Sequence, residues 1–511
     1  MPQARPGGYA PRGWYAERGA LARSVLAAAV GGVGALGQAP YDLPILLFLA
    51  LVLGFVMLRR QPSARAAGRI GWCMGLGYFA VALVWILQPF QVDPDRHGWM
   101  APFALVLLSG GLALFWGLAF YLARRLSRRS WPLILTWTAA ELARAYVFTG
   151  FPWANPAQVL VDGAAGQGLS MAGPHGMTLW LLSCAWCVSL PVPRLRARVM
   201  RAGQAVLLGL VALGLHLPPG KPPAPLTEHT VRLIQPNAAQ HLKWQPEHAF
   251  GFFETQLALT AAAPEPGTPL PALTVWPETA IPWTYEGADE ALTQIRTAAG
   301  GRAVAVGVLR RPGERLFNSL VLLPGGGAPD QIYDKHHLVP FGEYIPLSPI
   351  AERLGLTGLA QVSATGFQRG PGPRTLDFGA LGRGLPLICY EAVFAHDVNG
   401  APARPDFLIQ ITNDAWFGQY AGPQQHLAQA RMRAIEQGLP LMRAANTGVS
   451  AMIDPYGRIL RALPLGEQGF IDAPLPAPLP KTLYSRTGDL PLALLLLIGL
   501  STSWLRRIRS N

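Results

Sequence analysis

The sequence predicts a multi-span α-helical membrane bundle followed by an α/β domain, and three observations support this prediction. Half of the 511 residues are hydrophobic and only 14% are charged, whereas soluble proteins carry about 25% charged residues. Apolar runs of nearly membrane-spanning length fill the first part of the chain and return near its C-terminus. Between these regions, strand-like and helix-like stretches alternate, which is typical of α/β domains.

The apolar runs define the predicted domains. We expect a bundle of about seven transmembrane helices over residues 1–217, a proline-rich linker at 218–228, the α/β domain at 229–487, and a transmembrane helix with a basic tail at 488–511. Several runs are close to the minimum length for a span. The runs lie at about 22–38, 42–58, 70–88, 101–123, 131–148, 168–191, 203–217 and 490–505.

Arginines in the connections predict the orientation of the chain. They cluster before the first run, in the second, fourth and sixth connections and after the last run, whereas the other short connections have almost none except Arg96. By the positive-inside rule, these basic ends lie in the cytoplasm. We therefore expect a multi-pass protein of the bacterial inner membrane, with both termini cytoplasmic and residues 229–487 periplasmic. Because much of the net charge of +13 lies in these clusters, we expect no nucleic-acid partner.

Within residues 229–487, short apolar runs bounded by turn residues predict strands, and longer amphipathic stretches predict helices. Residues 317–323 and 331–334 are expected to pair as a hairpin around a glycine-rich turn. The other predicted strands are 230–235, 273–276, 302–309, 385–388, 406–411, 441–445 and 449–453, and the predicted helices are 245–262, 288–299 and 423–437.

Three stretches place a reactive side chain at the predicted end of a strand. They are Val275–Thr279 with Glu278, Tyr333–Glu343 with Lys335 and Glu343, and Gly384–Glu391 with Cys389, Tyr390 and Glu391. An isolated cysteine at such a position is more often a buried structural residue than a nucleophile. A carboxylate, an ammonium group and a thiol at three strand ends, however, are suited to nucleophilic acyl chemistry.

Other candidate residues have a structural and a functional interpretation. Trp244, Trp416 and Phe417 are either core aromatics or contacts for an acyl chain. The apolar segment 345–366 is either a core helix or a lid that enters the bilayer surface, and we favour the lid. His336 and His337 lack a third ligand at a suitable spacing, so we expect no metal site.

Charged residues inside the predicted bundle are few. Glu141 and Arg144 lie three residues apart in the fifth apolar run. Intramembrane charges usually pair and face the interior of a bundle. We therefore expect a structural ion pair here rather than a transport pathway.

Four stretches together resemble the nitrilase superfamily of carbon–nitrogen hydrolases. They are Trp276–Thr279, Tyr333–Glu343, Ile388–Glu391 and Asn413–Gly418. With apolar spans on both sides of the domain, the chain looks like the membrane-anchored branch, the apolipoprotein N-acyltransferases. The resemblance implies an αββα sandwich with no metal or other cofactor. It also implies Glu278 as general base, Lys335 as the third catalytic residue and Cys389 as nucleophile.

Chemical roles follow for the remaining residues of these stretches. Lys335 can stabilise a thiolate and then a tetrahedral oxyanion, and a backbone N–H near Tyr390 can be a second donor. Glu343 can orient Lys335 or shuttle a proton. We place Glu391 with Glu343 and Tyr390 as a supporting residue.

The resemblance implies a two-step acyl transfer. The cysteine attacks a phospholipid ester and forms a thioester, and the N-terminal amine of a diacylglyceryl-cysteine then takes the acyl chain. The expected partners are a phospholipid donor, a diacylglyceryl apolipoprotein acceptor and membrane lipid, and we expect a monomer. Two alternatives remain: a membrane-tethered amidase or nitrilase that hydrolyses a small C–N substrate, and a non-catalytic transporter or receptor.

Overall fold

The structure is a computed structural model that describes residues 19–192, 197–264, 266–345 and 366–510. A helix lies at each of the eight predicted apolar runs. Seven of these helices precede the α/β domain within the described residues, and the eighth, Leu490–Ser510, follows it. The seven are α1 Ala20–Ala35, α2 Pro44–Arg59, α3 Ala64–Ala82, α4 Ala101–Leu126, α5 Pro132–Tyr146, α6 Leu169–Ser189 and α7 Ala197–His216.

Only some of these helices meet the length and hydropathy expected of a membrane span. Among the described residues, Pro94–Leu126, Arg198–His216 and Leu490–Arg509 do so. α1 and α2 are apolar but have only 16 residues each, against about 20 for a typical span. Helices therefore occupy all the predicted positions, and the count of seven spans plus one stays a prediction.

The third apolar run is not the single straight helix that the sequence predicts. α3 ends at Ala82, and the segment Val84–Gln91 continues at an angle of 62° in short 3-10 turns. Together the two parts are long and apolar enough for a fourth broken span or a re-entrant loop. α6 is also irregular, because Gly173 has a non-helical backbone and Pro174 follows it.

Small residues let the bundle helices approach closely. A Cβ atom on Gly77 would lie 1.9 Å from the carbonyl oxygen of Ala28, so α1 and α3 touch through backbone. The buried carboxylate of Glu141 lies 2.5 Å from Arg144 Nη2, which confirms the expected ion pair. Arg144 also donates to the carbonyl of Trp153 at 2.8 Å, and the pair thereby holds the turn that follows α5.

The domain contains two six-stranded mixed sheets in the described part of the chain. The first has the order β12-β1-β2-β3-β4-β5 and the second the order β11-β10-β9-β8-β7-β6. The strands are β1 Leu226–Gln235, β2 Leu273–Val275, β3 Ala303–Arg310, β4 Phe317–Leu323, β5 Gln331–Asp334, β6 Leu376–Asp377, β7 Arg383–Ile388, β8 Phe407–Thr412, β9 Leu441–Ala445, β10 Ser450–Ile453, β11 Ile459–Leu463 and β12 Gly469–Pro476. The predicted hairpin is β4 and β5. β1 begins inside the predicted linker.

Helices cover the outer faces of both sheets. α8 Pro246–Ala261 and α9 Asp289–Ala298 pack on the first sheet, and α10 Gly422–Gln437 packs on the second. The inner faces of the two sheets share one apolar core. Because both faces of the central strands are covered, these strands are continuous apolar runs. The predicted αββα sandwich is confirmed. The C-terminal helix Leu490–Ser510, which follows the sandwich, is labelled α11.

The bundle and the sandwich share a further hydrophobic core. Tyr390 and Phe394 from the segment after β7, and Met432 from α10, belong to the same buried cluster as the aromatic residues of the bundle. The Trp153 indole donates to Gln425 Oε1 at 2.7 Å across this contact. The sequence reasoning did not predict this interface.

Candidate active site

Three predicted site residues follow the carboxyl ends of strands. Glu278 lies just beyond β2, Lys335 directly follows β5 and Cys389 directly follows β7. β2 and β3 pair in parallel, while β4 is antiparallel to both β3 and β5, so β2 and β5 end at the same edge of the first sheet. The facing second sheet contributes the strand that ends at Cys389.

Lys335 lies between two carboxylates and is buried. Its Nζ is 2.8 Å from Glu343 Oε1 and 3.6 Å from Glu278 Oε1. Burial lowers the pKa of Lys335, but the charges of Glu343 and Glu278 outweigh burial and raise its pKa above the ordinary value. The ammonium group therefore stays charged at neutral pH, and it can stabilise negative charge nearby.

Amide groups hold the two carboxylates in place. Asn318 Nδ2 donates to Glu278 Oε1 at 2.7 Å and to Glu343 Oε1 at 3.2 Å. The backbone N–H of Asn413 donates to Glu278 Oε2 at 2.8 Å, and that of Val339 donates to Glu343 Oε2 at 2.8 Å. The sequence reasoning missed Asn318. Its signal was an amide side chain, next to Ser319, in a strand whose other residues are apolar.

Cys389 sits on a turn with an unusual backbone. Its φ is +51°, in the left-handed region that residues other than glycine rarely adopt, and its side chain is buried. Burial and the Glu278 carboxylate raise the pKa of the thiol, whereas Lys335 and a hydrogen bond with Thr412 lower it. Burial has the largest effect and keeps the pKa above its ordinary value. The resting group is therefore a thiol that needs a base to become a nucleophile.

Glu391 and Tyr390 connect the turn at Cys389 to its surroundings. Glu391 is fully buried, and its carboxylate accepts hydrogen bonds at 2.7 Å from the backbone N–H groups of Ile388 and His336. It thus joins the turn at Cys389 to the loop after Lys335. The Tyr390 hydroxyl lies 3.4 Å from the carbonyl oxygen of Gly150 in the bundle. Both residues hold the turn from outside the reacting groups.

Comparison with known proteins identifies the family. Residues 30–187 match the family described as "Apolipoprotein N-acyltransferase N-terminal domain", and residues 230–479 match "Carbon-nitrogen hydrolase". An apolipoprotein N-acyltransferase of Rhodopseudomonas palustris is 35% identical over 95% of this chain and 95% of its own length. The chain belongs to the apolipoprotein N-acyltransferase family. Family members from Bradyrhizobium diazoefficiens and Caulobacter vibrioides are 36% and 37% identical, over 95% and 94% of both chains respectively.

The three predicted aromatic contacts occupy different environments in this family member. Phe417 packs against Trp85 and Trp153 of the bundle, with ring centroids 4.8 and 5.4 Å apart, so it contributes to the contact between bundle and sandwich. Trp244 is 45% exposed, and Trp416 is half-buried. A role of these residues in acyl-chain binding stays a prediction. Residues 346–365, nearly the whole of the predicted lid, lie outside the described residues.

A group of two histidines and one aspartate lies next to the turn at Cys389. The fold brings His396 and Asp397 to His337, and within the described residues their ligand atoms lie within 4.8 Å of one another. Sequence spacing did not reveal these extra neighbours. His337 Nδ1 lies 2.7 Å from Asp397 Oδ2 and its Nε2 lies 3.0 Å from the carbonyl oxygen of Thr149. Both nitrogens thus have oxygen partners, and the group is a hydrogen-bonded link to the bundle.

Proposed function

We propose that this protein transfers a fatty acyl chain from a phospholipid to the N-terminal amine of the diacylglyceryl-cysteine of apolipoproteins. Similarity to apolipoprotein N-acyltransferases over nearly the whole chain supports this activity. The structural observation that favours a lipid donor is the hydrophobic core that the bundle and the sandwich share. The turn at Cys389 packs through Tyr390 and Phe394 into the apolar core that the sandwich shares with the bundle.

The first half-reaction acylates the enzyme. Glu278 takes the thiol proton of Cys389, and the sulfur attacks the ester carbonyl of the phospholipid. The ammonium group of Lys335 stabilises the tetrahedral oxyanion. When the carbon–oxygen bond breaks, Glu278 returns the proton to the leaving oxygen, so a lysophospholipid departs and a thioester remains.

The second half-reaction transfers the acyl chain to the acceptor. The amine of the diacylglyceryl-cysteine attacks the thioester, and its surplus proton passes through Glu278 to the departing sulfur. The products are an amide on the lipoprotein and the free thiol of Cys389. Because Glu343 shares both Lys335 and Asn318 with Glu278, it holds the cation in place while Glu278 changes its protonation state.

The location of the reaction is part of the proposal. We place residues 1–217 and 488–511 in the inner membrane as a multi-pass anchor with both termini cytoplasmic. The sandwich of residues 229–487 then faces the periplasm, and the chain acts as a monomer. The arginine clusters and the helices at every predicted run support this arrangement.

Mass spectrometry of the intact protein after incubation with phospholipid tests the proposal. We expect one added acyl group on Cys389 and release of lysophospholipid, followed by loss of the acyl group when a diacylglyceryl-cysteine peptide is added. Cys389→Ala should carry no acyl group, whereas the control variant Cys187→Ala in α6 should be acylated normally. An acylated Cys389→Ala variant would refute the mechanism. Transfer of the acyl group to water but not to amines would favour the alternative, a membrane-tethered amidase or nitrilase.

A further inference from the structure

Lys243 is a buried lysine that the proposed mechanism does not use. It lies in the loop between β1 and α8 and is 7% exposed. Its Nζ donates to the carbonyl oxygen of Glu278 at 3.1 Å and to Thr279 Oγ1 at 2.8 Å. Within the described residues it forms no salt bridge with a carboxylate. Burying an ammonium group without such a partner is costly, so its position requires an explanation.

The backbone that Lys243 contacts is strained. Thr279 has a φ of +47°, a left-handed conformation that β-branched residues seldom adopt. This kink directly follows Glu278 and lies beyond the C-terminal end of β2. Strain of this kind persists only where the surroundings enforce it. Lys243 donates to the carbonyl group just before the kink and to the hydroxyl group of the kinked residue itself.

β3 also confines this segment through close backbone contact. A Cβ atom on Gly307 would lie 2.2 Å from the carbonyl oxygen of Pro277 and 2.7 Å from the Cα atom of Glu278. The N–H of Ala280 donates to the Gly307 carbonyl oxygen at 2.7 Å. The segment that carries Glu278 is therefore held by contacts from both β3 and Lys243.

We infer that Lys243 is a positioning residue that holds the Glu278 carboxylate in place for proton exchange with Cys389. The inference rests on the proposed function, because it assigns to Glu278 the role of base. Without Lys243, the kink at Thr279 is free to relax. The carboxylate then moves relative to Lys335 and Cys389, while the rest of the sandwich keeps its core.

The charged ammonium group of Lys243 attracts Glu278, the proposed base, and it strengthens the hydrogen bonds to the kink. Burial lowers the pKa of Lys243 to about 8, and the attraction of Glu278 partly opposes this. Gln256 from α8 and Asn446 from the segment after β9, both uncharged, line the same pocket as Lys243 and Thr279. The charge-assisted hydrogen bonds to the kink therefore weaken as the pH rises through about 8.

Single-turnover kinetics on the full chain in phospholipid-containing micelles test the inference. We would measure acylation of Cys389 against donor concentration and from pH 6 to pH 10. Lys243→Met should lower the maximal rate by roughly 10-fold to 100-fold with the half-saturating donor concentration unchanged. Lys243→Arg should restore most of the rate and move its alkaline decline to higher pH. The exposed control Lys481→Met should behave as the wild type.

A second variant, Thr279→Val, tests the same contact without replacing Lys243, so the test still works if Lys243→Met does not fold. Thr279→Val removes one acceptor of the Lys243 ammonium group and keeps the shape of the side chain. It should slow acylation less than Lys243→Met does, and the double variant should be no slower than Lys243→Met alone. Additive effects of the two substitutions would overturn the inference.

The remaining outcomes separate the inference from the proposed function. Normal acylation of both the wild type and Lys243→Met would overturn the inference alone. A melting temperature that falls in step with the rate, with no rescue by arginine, would assign Lys243 a merely structural role and also overturn it. A wild-type chain that forms no acyl-enzyme would contradict the proposed function and, with it, this inference.

Discussion

At the scale of single residues, the site concentrates opposite charges where water is excluded. Lys335 is paired with two carboxylates, and Asn318 donates to both of them. A buried cation between two anions is stable only if every remaining lone pair is also satisfied. The amide of Asn318 and the backbone N–H groups of Asn413 and Val339 meet this need. Donors from β4 and from two loops thereby hold both carboxylates in position.

Removing the bridging amide should impair catalysis more than folding. Asn318→Ala leaves both carboxylates short of a donor, so we expect acylation of Cys389 to slow by roughly 10-fold to 100-fold. The matched control is Ser319→Ala on the same strand, because the Ser319 hydroxyl donates to Asp334 Oδ1 on the opposite face. Acylation kinetics by mass spectrometry check the prediction, and equal rates for the two variants would contradict it.

The thiol of Cys389 should respond to its two charged neighbours in opposite directions. The Glu278 carboxylate raises the pKa of this thiol and Lys335 lowers it. At pH 8, Glu278→Gln should therefore increase the thiolate fraction and speed alkylation of Cys389 by iodoacetamide, although acyl transfer slows by roughly 100-fold or more. Lys335→Met should slow both reactions. Peptide mass spectrometry measures the alkylation. If Cys389 is alkylated more slowly in Glu278→Gln than in the wild type, the Glu278 carboxylate does not raise the pKa of the thiol as stated.

Glu278, Lys335 and Cys389 were singled out from the sequence because each follows a predicted strand end, and Glu343 because it lies on the loop that follows Lys335. Asn318 and Lys243 could not be singled out in this way. Their importance depends on which backbone and side-chain atoms the fold brings to them from strands and loops far away in sequence. His396 and Asp397 escaped prediction for the same reason, since they reach His337 only through the turn after β7.

At the scale of secondary-structure elements, α10 is buried on two sides. One face packs on the second sheet and the other on the bundle, which leaves its polar side chains without water. Helix α10 was predicted from its amphipathic pattern. The sequence could not show that its polar face would be covered by the helical bundle. Likewise, the bend after α3 was missed because its apolar run continues through the break.

Glu436 at the end of α10 should make stability depend on pH. Burial raises the pKa of its carboxyl group from 4.5 to about 7, even though Arg433 Nη2 lies 2.6 Å away. A raised pKa in the folded state means that folding favours the protonated form. Stability from this group is therefore full below about pH 4.5 and is lost as the pH rises through 7.

The variant Glu436→Gln should remove this loss. Relative to the variant, the wild type should lose on the order of 3 kcal/mol of unfolding free energy between pH 4.5 and pH 7. Denaturant unfolding of both proteins at a series of pH values measures the difference. The exposed residue Glu467 supplies the control variant Glu467→Gln, which should follow the wild type. Parallel pH curves for the wild type and Glu436→Gln would contradict the prediction.

At the scale of the whole molecule, the bundle and the sandwich form one folded body rather than an anchor with a tethered enzyme. Buried side chains of both regions share one core, and Gln425 of α10 donates to the carbonyl oxygens of Ala39 and Ala82 in the bundle at 3.0 Å. The order of the two regions and the αββα layers could be predicted from hydropathy, alternation and the family resemblance. The interface could not, because it depends on which faces meet in space.

The predicted orientation can be tested because it depends on the number of spans. Seven crossings before β1 and one after the sandwich place the segment near Lys221 outside the cytoplasm and the C-terminal tail inside it. α1 and α2, with 16 residues each, rise only about 24 Å. If these two helices and the bent α3 segment do not all cross the membrane, the side on which Lys221 lies can change.

Reporter fusions at three positions decide this question. Alkaline phosphatase, which is active only outside the cytoplasm, should be active after Lys221 and inactive after Arg128 and after Arg509. A green fluorescent protein at the same positions should give the complementary pattern. The Arg128 fusion is the internal control, because it lies in the basic connection between α4 and α5. An inactive phosphatase at Lys221 would contradict the periplasmic sandwich, and an active one at Arg509 would remove the final crossing.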